Sequence, residues 1–127
     1  MNTKSPHKTI VLSFTTLTIY DNFLVSTIHE GKLFDTPQLE QLQEIFDIYF
    51  PAKNFGFIAN RKYDYTVNPV CYTNTSAIDR MVGMAVLCYS DANYQTAKFT
   101  KPFFRKPLEA FFSFKECEDW INQLLLK

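Results

Sequence analysis

From Met81 to Tyr89 the chain reads M-V-G-M-A-V-L-C-Y, its most apolar and least interrupted run. It falls far short of the ~20 residues a membrane-spanning helix requires. A strand or helix with one face in water would also carry polar residues on that face. A short, continuous apolar run is how a strand covered on both sides reads, and such strands lie in the middle of parallel sheets. Parallel strands need crossovers, so the rest of the chain is expected to alternate strands with helices that cover the sheet.

That alternation can be followed. Thr9 to Tyr20 is rich in β-branched and aromatic residues, and Ile10, Leu12 and Phe14 alternate with Thr9, Val11, Ser13 and Thr15, which predicts a strand. Asp21 and Asn22 suit a tight turn, Phe23 to Ile28 returns antiparallel, and Gly31 ends that strand. Asp35 and Gln38 have capping-box spacing with Pro37 in the first turn. Leu39, Leu42, Ile45, Phe46 and Tyr49 then follow helical spacing as far as Pro51, with Glu40, Gln43, Glu44 and Asp47 on the solvated face. Phe55 to Asn60 has strand length, and Arg61 to Val67 reads as a polar, tyrosine-bearing loop. Asn68 and Pro69 resemble the N-cap and first position of a helix weakened by Thr73, Asn74, Thr75 and Ser76.

After the apolar strand, Ser90 or Asp91 caps a helix from about Ala92 to Lys101, which Pro102 interrupts, and Leu108 to Phe112 forms the last strand. Ser113 and Glu116 make an S-x-x-E box, with Phe112 and Cys117 at the flanking staple positions. Cys117, Trp120, Ile121, Leu124 and Leu125 share one face of the final helix. The predicted fold class is α/β, with a mixed, mostly parallel sheet of about 4–5 strands, an N-terminal β-hairpin and about 4 packed helices. With 127 residues, one domain is expected over residues 9–127, preceded by a loose N-terminal tail at residues 1–8.

Several function classes are disfavoured by inventory. Thirteen cations balance thirteen acids, so no overall field draws the chain to nucleic acid or an anionic membrane. Lys98, Lys101, Arg105 and Lys106 alternate with Phe99, Phe103 and Phe104, but four charges are few for nucleic-acid binding. The histidines are His7 and His29, and no His/Cys spacing fits a metal site. Gly31, Gly56 and Gly83 stand apart and make no phosphate-binding loop. Cys71, Cys88 and Cys117, odd in number and in apolar surroundings, read as reduced core thiols of a cytoplasmic protein. Neither a signal peptide nor a membrane span is evident. No acid–base or nucleophile set supports an enzyme, and no cofactor is expected.

In a parallel sheet, helices beginning at Asn68 and Ser90 would start near the carboxyl ends of their strands, where open α/β sheets place ligands. The residues expected around that edge are Arg61, Tyr63, Tyr65, Asn68, Tyr72 and Asp91, with packing tyrosines and an Arg61 pair to Asp64 or Asp91 as the structural alternative.

The succession F-G-F-I-A-N-R, Y-D-Y-T-V-N-P, a buried strand and F-F-R-K-P-L-E-A-F-F-S-F-K-E-C-E-D-W-I, spanning roughly Tyr20 to Leu125, resembles small bacterial proteins of the STAS / SpoIIAA-like group. The resemblance implies a helix-packed sheet used for protein interaction or small-ligand binding, as in anti-sigma factor antagonists and lipid-carrying CRAL-TRIO domains. The antagonists' phosphorylatable Ser is missing, since Ala59 to Tyr72 contains no Ser, so their partner switching is not carried over. The expected function is a non-enzymatic interaction module binding a protein partner or a second copy of itself. The alternative is a carrier of a small apolar molecule or lipid. The two differ in whether the interior holds a pocket of several hundred Å³ or is filled beneath an exposed apolar patch.

Overall fold

The computed structural model describes residues 7–127, and at positions 74–77 the backbone alone. In chain order the elements are β1 (Lys8–Val11), β2 (Thr15–Ile19), β3 (Phe23–Ile28), β4 (Leu33–Phe34), α1 (Thr36–Tyr49), β5 (Phe55–Asn60) and β6 (Thr66–Val67). A 3-10 helix (Pro69–Ala77) follows, then β7 (Met81–Leu87), α2 (Asp91–Thr100), a 3-10 turn (Lys101–Phe103), β8 (Leu108–Phe111) and α3 (Phe114–Leu125). Six strands form the main sheet in the order β1-β2-β3-β5-β7-β8. The pairs β1/β2 and β2/β3 are antiparallel, and the three pairs from β3 to β8 are parallel.

The sheet therefore has more strands than the four or five expected. Thr9 to Tyr20 is two strands, because the chain reverses at Leu12–Phe14, where the Leu12 N–H donates to the Thr15 carbonyl at 2.8 Å and Val11 pairs with Thr16. Phe14 turns into the core from the reversal itself, so Ile10, Leu12 and Phe14 keep a period of two up to it, and the phase then shifts to Thr15, Leu17 and Ile19. A second sheet of β4 and β6, two residues each, lies within what reads as loop. The α-helices number three among the described residues. The fourth expected helix is 3-10, in keeping with its run of poor helix formers. Of the expected N-terminal tail, residues 1–6 lie outside the described residues, and Lys8 already pairs with Ile19.

Because β3, β5, β7 and β8 follow one another in both sequence and space, right-handed crossovers put α1, the 3-10 helix and α2 on one face. That face holds the larger core, where Phe46 of α1 meets Phe55 at 4.9 Å and Phe57 edge-on at 6.0 Å, and Phe50 stacks on Phe55 at 4.6 Å. Among the described residues the opposite face carries α3 alone, with Cys117 and Ile121 fully buried against Phe23, Val25, Ile58, Ala85 and Leu87. Gly56 and Gly83, both on this face, let the helix come close. A Cβ on Gly56 would run into the Ile121 side chain, and one on Gly83 would meet Leu124 Cδ1 at 2.7 Å.

The caps follow their sequence signals closely. Asp35 and Gln38 form the expected reciprocal box at α1. At α3 the Ser113 hydroxyl accepts from the Glu116 N–H at 3.2 Å, and that hydroxyl also bonds the Glu116 carboxylate. Phe112, expected to staple against Cys117, is exposed and stacks on Tyr94 of α2 at 5.5 Å. Trp120 is half-buried at the margin of the smaller core, 5.8 Å from the Phe111 ring.

Candidate functional site

Arg61 follows β5 directly, and its N–H donates to the Leu87 carbonyl at 3.1 Å, continuing the ladder to β7. Strand alternation sends Phe55, Phe57 and Ala59 into the larger core, and Arg61 falls on the same side. Its guanidinium lies over the Tyr65 ring, 4.3 Å from the centroid. Tyr65 is held there because β6 pairs Thr66 with Leu33 and Val67 with Phe34, closing the 61–67 loop onto the sheet end. Burial raises the Tyr65 phenol above its ordinary range, and the neighbouring Arg61 cation acts in the opposite direction. Tyr72 is buried deeper, edge-on to Phe104 at 5.6 Å, and burial pushes its phenol well up.

These three side chains surround a cavity of about 10 Å³, completed by Met84, Val86 and Thr100. Arg61 Nε is buried there without a hydrogen-bond partner. A cavity of that size holds roughly one water, which could accept from Nε and reach the neighbouring hydroxyls. Among the described residues no carboxylate forms an ion pair with Arg61, so the expected pairing to Asp64 or Asp91 is not made.

The other predicted site residues are placed apart from this cavity. Tyr63 is exposed, with Lys62 over its ring at 5.5 Å. Asn68 is engaged in folding: its amide donates to the Asp35 carboxylate at 3.2 Å, and its Oδ1 accepts from the Val70 N–H at 3.2 Å, the N-cap role that its sequence context suggests. Asp91 is exposed in the first turn of α2, whose cap is Ser90. The strand-end edge thus brings Arg61, Tyr65 and Tyr72 together and leaves Tyr63, Asn68 and Asp91 outside the cavity.

Two features went unread in the sequence. Asp35 is more than a helix cap, since it also anchors Asn68 and so ties the start of α1 to the 3-10 helix. Tyr94 and Lys98 lie one turn apart on α2 with the ammonium 5.5 Å from the ring centroid, a pairing that i, i+4 spacing could have revealed.

The thiols sit in settings that oppose thiolate formation. Cys71 and Cys117 are each pushed up to about 12, by burial first, with Asp35 adding to it at Cys71 and Cys88 and Glu116 at Cys117. Burial raises Cys88 as well. Among the described residues no three His, Cys, Asp or Glu side chains gather where they could hold a metal ion, and no helix is long and apolar enough to cross a membrane.

No protein-family model matches the chain, and no curated protein does. Among solved structures it is similar to an uncharacterized protein of the DUF3478 family with a SpoIIAA-like fold from Shewanella loihica PV-4. That likeness has a TM-score of 0.54 at 8% identity and covers 95% of this chain and 98% of the other. At such identity it shows the fold alone, a mixed α/β, SpoIIAA-like architecture.

Proposed function

We propose that this SpoIIAA-like chain is a non-catalytic protein-interaction domain. The observation that carries the reading is a nearly filled strand-end edge together with exposed aromatics, the hollow of about 410 Å³ beside Asn22, Lys53 and Leu125 being open at the surface. The cavity at the strand-end edge measures about 10 Å³, whereas a carried ligand needs several hundred Å³. Outside, Phe99 is 66% exposed, Tyr89 56% and Phe112 55%. Large aromatics held in water are what interfaces use, because they bring much contact area at little conformational cost.

A second reading, binding of a small anionic molecule at the strand-end edge, is favoured by one observation, the unpartnered Arg61 Nε facing Tyr65 and Tyr72. It requires the cavity to widen, since about 10 Å³ admits no more than a water. Native mass spectrometry of the protein, gently purified from its own cells and repeated after denaturation, separates the two. The interaction domain is expected without any small adduct. An adduct of a few hundred daltons that denaturation releases would overturn it in favour of the second reading.

A further inference from the structure

β8 is an outer strand of the main sheet, bonded on one side only. Its ladder to β7 uses the Pro107 carbonyl, which accepts from Met84 N–H at 2.9 Å, and the Phe111 carbonyl, which accepts from Cys88 N–H at 2.7 Å. Parallel pairing engages alternate residues, so Glu109 and Phe111 face β7 while the N–H and C=O groups of Leu108 and Ala110 point out of the sheet. α2 lies beside this edge, and between them runs a groove of about 170 Å³ lined by Tyr94, Ala97, Lys98, Lys101, Glu109 and Ala110. The Tyr94–Phe112 stack stands beside the groove, and Lys101 meets Glu109 at 3.0 Å.

We propose that the β8 edge takes up an extended, acidic segment of another protein as an added strand. The inference rests on the interaction-domain reading and supplies its surface and partner chemistry. Outward backbone groups beside a groove of mixed lining match strand addition, in which the main chain gives affinity and alternate side chains give choice. Charge selects the occupant. From Ala92 to Leu108 the chain carries Lys98, Lys101, Arg105 and Lys106 and no acid. Of these, Lys98 and Lys101 line the groove against the single acid Glu109, so an acidic strand meets net positive charge there, whereas a second copy paired edge to edge would bring lysines against lysines. Short edge strands flanked by lysine resist self-pairing for that reason.

The test is amide NMR on the full chain, titrated with the capped peptide Glu-Val-Glu-Val-Glu-Val-Glu and with its counterpart carrying lysine for glutamate. The acidic peptide is expected to shift the amides of Leu108 and Ala110 most. The double variant Lys98→Glu, Lys101→Glu should bind it about ten-fold more weakly and gain affinity for the lysine peptide. Both lysines are exposed, so folding should tolerate the exchange, and thermal melting verifies that. Equal binding of the two peptides, or shifts centred away from β8, would overturn the proposal. So would a dimer protecting these amides without peptide, or a single-stranded oligonucleotide that outcompetes the acidic peptide there. Should this fail while native mass spectrometry still finds no small adduct, the edge assignment falls and the interaction-domain reading stands.

Discussion

The two faces of the sheet are covered by different means. On one, α1, the 3-10 helix and α2 descend from three successive crossovers, and their side chains interlock with Phe55, Phe57, Met84 and Val86. On the other, α3 arrives after the last strand and is held by a small cluster around Cys117 and Ile121. β1 and β2 lie beyond that cluster, and there the open face shows Thr9, Val11, Thr16 and Thr18 to solvent, fully or in part. Near it, polar contacts replace packing: Thr16 bonds His29 at 2.9 Å, Asn60 bonds Thr27 at 3.0 Å and Tyr89 bonds Asn60 at 2.7 Å. Sequential strand order assigns the first face its helices through the handedness of the crossovers. Among the described residues the second face is covered by α3, so it rests on a few close contacts.

The contrast predicts unequal losses. Phe46→Ala removes a fully buried ring from the larger core and should cost ~3–5 kcal/mol in denaturant unfolding, with every probe shifting together. A loss of under ~1 kcal/mol would show that the larger face is not the one holding the fold. Gly56→Val presses on Ile121 and should cost ~2–3 kcal/mol. Its mark is local: hydrogen exchange should quicken in α3 before α1. Equal acceleration in both helices would mean that the two faces unfold as one unit, and the contrast would go.

The thiols give a gentler test, with Cys71 on the larger face and Cys117 on the smaller. Each is raised from an ordinary 9.0 to about 12 in the folded chain. Between those values the unfolded chain has released the proton and the folded chain retains it. The linked stability is therefore whole below pH 9 and falls as pH climbs toward 12. By pH 10 each thiol should remove ~1.4 kcal/mol. Urea midpoints measured from pH 8 to 10.5 should decline, and Cys117→Ala should take away the smaller face's share of the slope. An unchanged slope in that variant would place Cys117 in a wetter setting than its burial implies.

Arg61→Met carries the smallest expected effect. It discards a buried donor that has no partner and loses the contact with the Tyr65 face, two changes of opposite sign. Stability should stay within ~1 kcal/mol of the parent by thermal melting. A loss above ~2 kcal/mol would show that Arg61 holds the sheet end together, through a bound water or otherwise.

Elements governed by neighbouring residues were legible. The Asp35–Gln38 box, the Ser90 and Ser113 caps and strands β5 and β7 each declare themselves within a few positions. The reversal at Leu12–Phe14 was not, although the apolar phase shifts there from Ile10, Leu12 and Phe14 to Leu17 and Ile19. The strand-end argument grouped Arg61, Tyr65 and Tyr72, which are neighbours in the fold, yet polarity drew Arg61 into a loop when the alternation of Phe57 and Ala59 already pointed it inward. Asn68 showed the opposite error of emphasis, as its capping signal accounted for the whole side chain.

By itself the sequence determined where helices start, which strand is buried on both faces, and that the fold class is α/β. All of these rest on hydrogen bonds and periodicities spanning a few residues. The tertiary structure alone decided that Leu33 pairs with Thr66, that Gly56 and Gly83 seat α3, and that Arg61 and Tyr65 meet Met84, Val86 and Thr100 around a cavity the size of a water. Those contacts join residues far apart in the chain. Their energy is gained only once the loops between them have closed, so no local window of the sequence carries their signal.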